Sequence, residues 1–313
     1  MQYTPHNYQA YCIQRVVEDP AIGLFLRPGL GKTVITLSAV NILKYFRWQV
    51  AKALVVAPKK VAEATWSKEA AKWDHLQHLR VSTVLGSASK RIKALNTPAD
   101  VYVTNRENFE WLVDYYQQAW PFDMVIFDES TSFKNSQSKR FKAAKRIRRF
   151  IKKVVLLTGT PSSKGLIDLW AQVYLLDGGE RLGPSLSAYR ERYFDPDKRS
   201  RTQIFSYKAK DGAESAVLDA ISDICISMKA EDYRTSSSMK SPSSWMPRPK
   251  RPMTSLSVTC CWRWMRTSSQ RAPLGYWWAS CCNSAMGLCM AMTARWSQSM
   301  TASWRLSRSC WSS

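Results

Sequence analysis

Phe25-Leu-Arg-Pro-Gly-Leu-Gly-Lys-Thr33 follows a short apolar run, Ile22 to Leu26, and opens a helix-like segment, Val34 to Tyr45. An apolar strand feeding a glycine-rich turn and then a helix start makes a cradle for phosphate. Gly29 and Gly31 lack a Cβ, so backbone N–H groups can close around phosphate oxygens. The helix N-terminus adds partial positive charge. Lys32 offers a point charge to the β/γ-phosphates, and Thr33 a hydroxyl to Mg²⁺. Pro28, Gly29, Leu30 and Gly31 form the turn itself. The full phosphate-loop pattern wants a further glycine where Leu26 stands, so the match is to G-x-G-K-T alone. A chance glycine-rich turn is the competing reading, and the motifs downstream weigh against it.

At 313 residues the chain can hold one large or two ordinary domains. Its net charge of +22 suggests a polyanionic partner, but the charge is unevenly spread. The first 232 residues carry 35 Lys/Arg against 24 Asp/Glu, and the last 81 carry 11 Lys/Arg against none. Those last 81 also hold eight of the 14 Trp, six of the eight Cys and eight of the 11 Met. The polar start, Met1 to His6, and the lack of any apolar run near ~18 residues imply no signal peptide or membrane span. Cys12 and Cys225, the two cysteines before the tail, suit reduced thiols in a cytoplasm. The tail pairs Cys260-Cys261 and Cys281-Cys282 lack zinc spacing.

Codon logic accounts for the tail. Shifting the frame by one nucleotide turns Cys261 and Trp262 into Leu, Met265 into Asp, and Met246-Pro247 into Asp-Ala. The same shift turns Trp277-Trp278-Ala279 into Leu-Val-Gly. Ordinary helical text with acids restored emerges, so a frameshift between about Met228 and Met246 is expected, leaving 233–313 disordered. A basic, aromatic nucleic-acid-binding tail is the rival reading.

Upstream, short apolar runs alternate with helical patterns. Candidate strands are Ala53–Ala57, Val81–Leu85, Val101–Thr104, Met124–Phe127 and Val154–Thr158. Helical patterns fall at about 7–19, 61–73, 88–95, 107–118, 138–150 and 166–176. Continuous apolar strands between helices indicate an α/β fold with a buried parallel sheet flanked by helices. The expected division is a nucleotide-binding domain over 1–176 and a helical extension over 177–232.

Met124-Val-Ile-Phe-Asp128-Glu129-Ser130-Thr131 is an apolar strand ending in two carboxylates. Asp128 can hold Mg²⁺ and Glu129 can polarise an attacking water; a solvated acid pair is the alternative. Leu157-Thr158-Gly159-Thr160-Pro161 ends another strand, where open α/β sheets bind ligands; a plain turn is the alternative. Gln9, 23 residues before Lys32, carries a donor and an acceptor suited to an adenine edge, or is a surface glutamine. Lys139-Arg140, Lys142, Lys145-Arg146, Arg148-Arg149 and Lys152-Lys153 suit phosphate-backbone contact, or form a solvated helix face.

Gly29 to Thr33, Leu54-Val-Val-Ala-Pro58 with Trp66, Glu69 and Trp73, Val103-Thr-Asn105, Asp128-Glu129 with Lys134-Asn135, and Leu157 to Pro161 occur in order. Together they resemble the first RecA-like domain of a superfamily-two, Swi/Snf-type helicase, nearest to compact phage and prophage forms. Gly165 to Trp170, Leu182-Gly183 and Tyr189 to Phe194 resemble the part that follows. The resemblance covers about residues 3–232.

It implies a RecA-like P-loop NTPase fold, ATP and Mg²⁺ as cofactors, and DNA, double- or single-stranded, as partner, with RNA a further possibility. Lys32, Asp128 and Glu129 would be catalytic, and Thr33 and Asp128 would hold the metal. Gln9 and Pro28 to Thr33 would bind the nucleotide. Ala57, Pro58, Asn105, Thr158, Gly159 and Thr160 would touch or couple to a nucleic-acid strand. Ser130-Thr131 stand where the family commonly has His or a small residue.

The family hydrolyses ATP between two such domains, the second supplying an arginine, and 233–313 contain no legible second domain. The expectation is therefore an ATP-dependent DNA helicase or translocase, truncated and catalytically impaired. A non-catalytic ATP-responsive nucleic-acid-binding module is the alternative. A small-molecule kinase would leave Thr158 to Pro161 and the basic segment without a role.

Overall fold

The computed structural model describes residues 1–159, 161, 165–199 and 204–228. Thr160 and the tail at 233–313 lie outside the described residues. The strands are β1 (Ala21–Leu26), β2 (Ala53–Ala57), β3 (Val81–Val84), β4 (Val101–Asn105), β5 (Met124–Asp128), β6 (Lys153–Thr158), β7 (Phe194–Arg199), β8 (Ile204–Ala209) and β9 (Cys225–Met228). Seven of them form one sheet in the order β3-β4-β2-β5-β6-β1-β9. Every neighbouring pair in it is parallel. β7 and β8 pair separately as an antiparallel hairpin.

Strands β1, β2, β4, β5 and β6 are buried along their whole length, which is why they read as unbroken apolar runs. Alternate residues serve opposite faces. On β2, Leu54 and Val56 join a core with Phe109, Phe127, Phe133 and Trp170. Ala53, Val55 and Ala57 join a second core with Ile35, Leu37 and Trp66.

The helices are α1 (Asn7–Glu18), α2 (Lys32–Asn41), α3 (Lys59–Lys72), α4 (Ala88–Asn96), α5 (Arg106–Tyr116), α6 (Lys139–Ile147), α7 (Leu169–Asp177), α8 (Leu186–Tyr193) and α9 (Ala213–Ile221). The second core is built from α1 to α3, the first chiefly from α5 to α9. Side-chain oxygens of Ser87, Asn105, Ser138 and Ser185 accept backbone N–H groups and start α4, α5, α6 and α8. Helix α2 continues as a π-helical turn, Ile42–Phe46, close to the expected end at Tyr45.

Of residues 177–232, expected as a helical extension, the described ones supply α8 and α9 but also the hairpin and β9. Strand β9 pairs with β1 from Gly23↔Cys225 to Leu26↔Met228 and so forms one edge of the main sheet. Its four residues were too short an apolar run to stand out from the helical text before it. Among the described residues no helix is long and apolar enough to cross a membrane.

Leu24 is fully buried in β1. Leu24→Ala should cost about 2–5 kcal/mol of stability, and Leu218→Ala, at an exposed position of α9, less than about 0.5. Urea unfolding monitored by circular dichroism measures both; equal losses would contradict the placement of the core.

Candidate functional site

Parallel pairing puts the carboxyl ends of β4, β2, β5, β6 and β1 side by side along one sheet edge. Leu24 of β1 lies in register with Leu157 of β6, and Leu157 with Asp128 of β5. Only β6 separates the cradle strand from the acid strand, a gap of about 10 Å. Lys32, at the start of α2 just beyond the cradle, and Asp128, at the end of β5, lie near enough on this edge to interact electrostatically.

The cradle leaves β1 at Arg27 and closes at Gly31, whose φ of +74° makes it a left-handed N-cap of α2. That conformation favours glycine, and a Cβ there would come within 2.6 Å of the Gln9 Nε2 and displace it. Gln9 is buried against the cradle, not a surface glutamine. Its Oε1 accepts from the His6 backbone N–H at 3.0 Å and the Tyr3 hydroxyl at 3.3 Å, leaving Nε2 as the group facing the turn. The Tyr8 hydroxyl donates to the Leu30 carbonyl, tying α1 to the loop.

Lys32 Nζ donates to the Leu26 carbonyl at 2.7 Å and the Arg27 carbonyl at 3.3 Å. Burial holds its pKa below the usual lysine range, against the opposing pull of Glu129 and Asp128. Thr33 is half-buried in the first turn of α2. Mg²⁺ is usually held by one or two carboxylates together with phosphate oxygens, and Asp128 with the Thr33 hydroxyl fits that donor set.

Asp128 is 9% exposed. Burial, reinforced by Glu129, pushes its carboxyl up to about 6, opposed by the Trp66 indole and Lys32. The indole Nε1 of Trp66, fully buried in α3, donates to Asp128 Oδ2 at 3.2 Å. In the sequence Trp66 is a motif residue; its hydrogen bond to the acid, 62 positions away, is a product of the tertiary fold. Glu129 has φ +55° and ψ +61°, a left-handed conformation that a non-glycine residue adopts only under constraint. Ser130, next in the chain, is buried and donates to Gln172 Oε1 at 2.7 Å.

The residues expected at a nucleic-acid strand divide. Ala57 and Thr158, at the ends of β2 and β6, are 0% exposed, so neither side chain offers a direct contact surface. Asn105 is buried too, and its side chain caps α5 by accepting from the Asn108 N–H at 3.2 Å. Pro58 and Gly159 keep some surface. A Cβ on Gly159 would lie 3.0 Å from Pro28 Cδ, so the segment after β6 packs on the cradle. Lys59 and Lys60, passed over in the sequence, stand exposed beside Pro58 at the start of α3.

Part of the basic run is structural. Lys153 is buried and donates to the carbonyls of Val16, Val17 and Asp19 at the end of α1. Arg148 binds the Leu175 and Leu176 carbonyls near the end of α7. Arg146 pairs with Asp114 and Lys152 with Asp123.

An unfolded aspartate titrates near 3.9, so a folded value of about 6 penalises the native state above that range. The penalty is full at pH 7, shrinks as pH falls through 6, and fades toward 4. Asp128→Asn should therefore raise stability by about 2–3 kcal/mol at pH 7, with the gain dwindling at pH 4. Urea titrations at both pH values check this; a gain independent of pH would contradict the buried, charged state.

A sequence profile for the SNF2-related domain matches residues 19–193. Protein p41 of Acyrthosiphon pisum secondary endosymbiont phage 1 is 38% identical over 237 residues, covering 74% of this chain and 52% of that protein. The chain thus spans about half the length of this relative. The DNA excision repair protein ERCC-6-like of Danio rerio is 30% identical over 181 residues, 55% of this chain and 12% of that protein. The Sulfolobus solfataricus SWI2/SNF2 ATPase core in complex with dsDNA shares the fold, with a TM-score of 0.59 and 24% identity. That match covers 72% of this chain and 44% of the Sulfolobus chain. With a cradle, an acid pair and a parallel sheet arranged in this way, the chain belongs to the SNF2-related domain family.

Proposed function

We propose that this domain binds Mg·ATP between the ends of β1 and β5 and, in an intact protein, couples its hydrolysis to movement along DNA. The observation that carries the reading is that β1, which leads into the cradle, and β5, which ends in the acid pair, end at one sheet edge one strand apart, with Lys32 under the electrostatic pull of Glu129 and Asp128. Lys32 would leave the Leu26 carbonyl to bind the β/γ-phosphates, and Gln9 would present Nε2 to the nucleotide. Thr33 and Asp128 would hold Mg²⁺, which when bound neutralises charge on the phosphates. Glu129 would orient water for attack on the γ-phosphorus and accept its proton.

The strand would lie over the neighbouring ends of β2 and β4, at Pro58, Lys59 and Lys60, with Gly159 between strand and cradle. The dsDNA bound to the Sulfolobus core supports DNA over RNA as the partner. For the 313-residue chain itself we propose nucleotide binding with slow turnover. In related NTPases an arginine brought from outside the cradle is worth about 10³–10⁵ in rate. Under that reading the chain behaves as an ATP-responsive DNA-binding module.

Fluorescent Mg·ATP analogue binding, followed by titration, should weaken about 10–100-fold in Lys32→Ala, the worth of a charge-assisted hydrogen bond. Glu129→Gln should bind normally and lose hydrolysis. Unchanged binding in Lys32→Ala would remove the cradle assignment. Double-stranded DNA affinity measured across salt concentrations should show its log–log slope fall by about 2 when Lys59 and Lys60 are both replaced by Ala. An unaltered slope would place the strand elsewhere.

A further inference from the structure

Helix α7 is apolar and buried almost throughout, and its one amide side chain, Gln172, is 0% exposed. A buried amide is retained only if its polar atoms are satisfied. Gln172 spends them on two loops of the candidate site. Its Oε1 accepts from Ser130 Oγ at 2.7 Å, immediately after Glu129. Its Nε2 donates to the Pro161 carbonyl at 2.7 Å, and also to the Asp168 carbonyl at 3.1 Å in its own helix region. Beside it, Lys134 pairs with Asp168 at 3.0 Å, a second link between the same segments.

These contacts meet a backbone that needs holding. Glu129 is left-handed at φ +55°, and such a residue persists only when its surroundings fix it. Ser130 is the next residue and is fully buried, with its hydroxyl fastened to Gln172. On the other side, Pro161 closes the segment whose Gly159 packs on Pro28 of the cradle. One amide therefore spans the acid turn after β5 and the loop after β6.

We propose that Gln172 is a positioning residue that latches the Glu129 turn to the loop after β6, so that nucleotide occupancy and the DNA-facing loop sense each other through it. The proposal rests on the nucleotide-binding and DNA-binding reading above. Gln172 touches neither ligand. It sets the relation between two loops, and its loss should separate them without removing either site.

The test is a coupling measurement on the full chain, independent of turnover. Affinity for a fluorescent, non-hydrolysable Mg·ATP analogue is measured with and without a saturating DNA duplex. In the unaltered chain the duplex should change nucleotide affinity by about fivefold or more, the lower end of ordinary allosteric coupling. Gln172→Met, close in volume, should keep each affinity measured alone within about twofold while the coupling drops below about twofold. Ser130→Ala, which spares the bond to Pro161, should lose coupling likewise, guarding against a folding defect peculiar to the helix. Gln172→Glu keeps an acceptor for Ser130 but sets an oxygen against the Pro161 carbonyl, and should uncouple as well. Full coupling in Gln172→Met, or none in the unaltered chain, would overturn the latch while leaving nucleotide binding standing. Failure of the unaltered chain to bind the analogue would remove both readings.

Discussion

The site depends on β6 pairing with β5 on one side and β1 on the other, in parallel and in register. Val154 to Leu157 are buried on both faces and held by hydrogen bonds to both neighbours. A parallel ladder fixes direction, so all three strands deliver their carboxyl ends to the same edge. A one-residue slip would turn the apolar set of β6 inside out, which two packed cores forbid. From that constraint follow the nearness of the cradle strand to the acid strand and the proximity of Gly159 to Pro28. The chemistry is set by the sheet before any loop is considered.

What the edge holds is not restful. Lys32 and Asp128 are both drawn out of water, and burial moves each pKa toward its neutral form. Each is partly compensated: the lysine by loop carbonyls, the aspartate by the Trp66 indole. Glu129 adds backbone strain beside them. Such groups oppose folding and are retained where binding or catalysis needs charge in a dry place. The stability they cost comes from the cores, in which Trp66 on one face and Phe109, Phe127 and Phe133 on the other are wholly buried.

The sheet was legible because doubly buried strands leave continuous apolar text, and helices of ordinary length separate them. Five strand candidates match β2 to β6 within a residue at each end, and Gly31, Lys32 and Asp128 fall where their motifs place them. Strand β9 was not legible, since Cys225–Met228 is brief and follows a helix directly. For the residues expected at a nucleic-acid strand, position was legible but exposure was not. Motif position says which loop a residue occupies, whereas burial decides whether it can touch anything, and Ala57 and Thr158 are sealed. Within the basic run, Arg148 and Lys153 are held by backbone carbonyls, a use that charge density along the chain does not reveal.

Gln172 shows the complementary case, a signal present in the text but without an address. Leu169-Trp-Ala-Gln-Val-Tyr-Leu-Leu176 is apolar but for one amide, and a lone amide in a helix buried all round must have partners. Sequence alone could not name them, because Ser130 lies 42 residues away and Pro161 belongs to another loop. Once the fold supplies both, the amide's two ends explain its chemistry: an acceptor for the serine hydroxyl and a donor for a proline-bearing carbonyl. Neither a carboxylate nor an aliphatic side chain meets both demands. The same geometry accounts for a serine after the acid pair in this chain, because its hydroxyl is the group that α7 is built to hold.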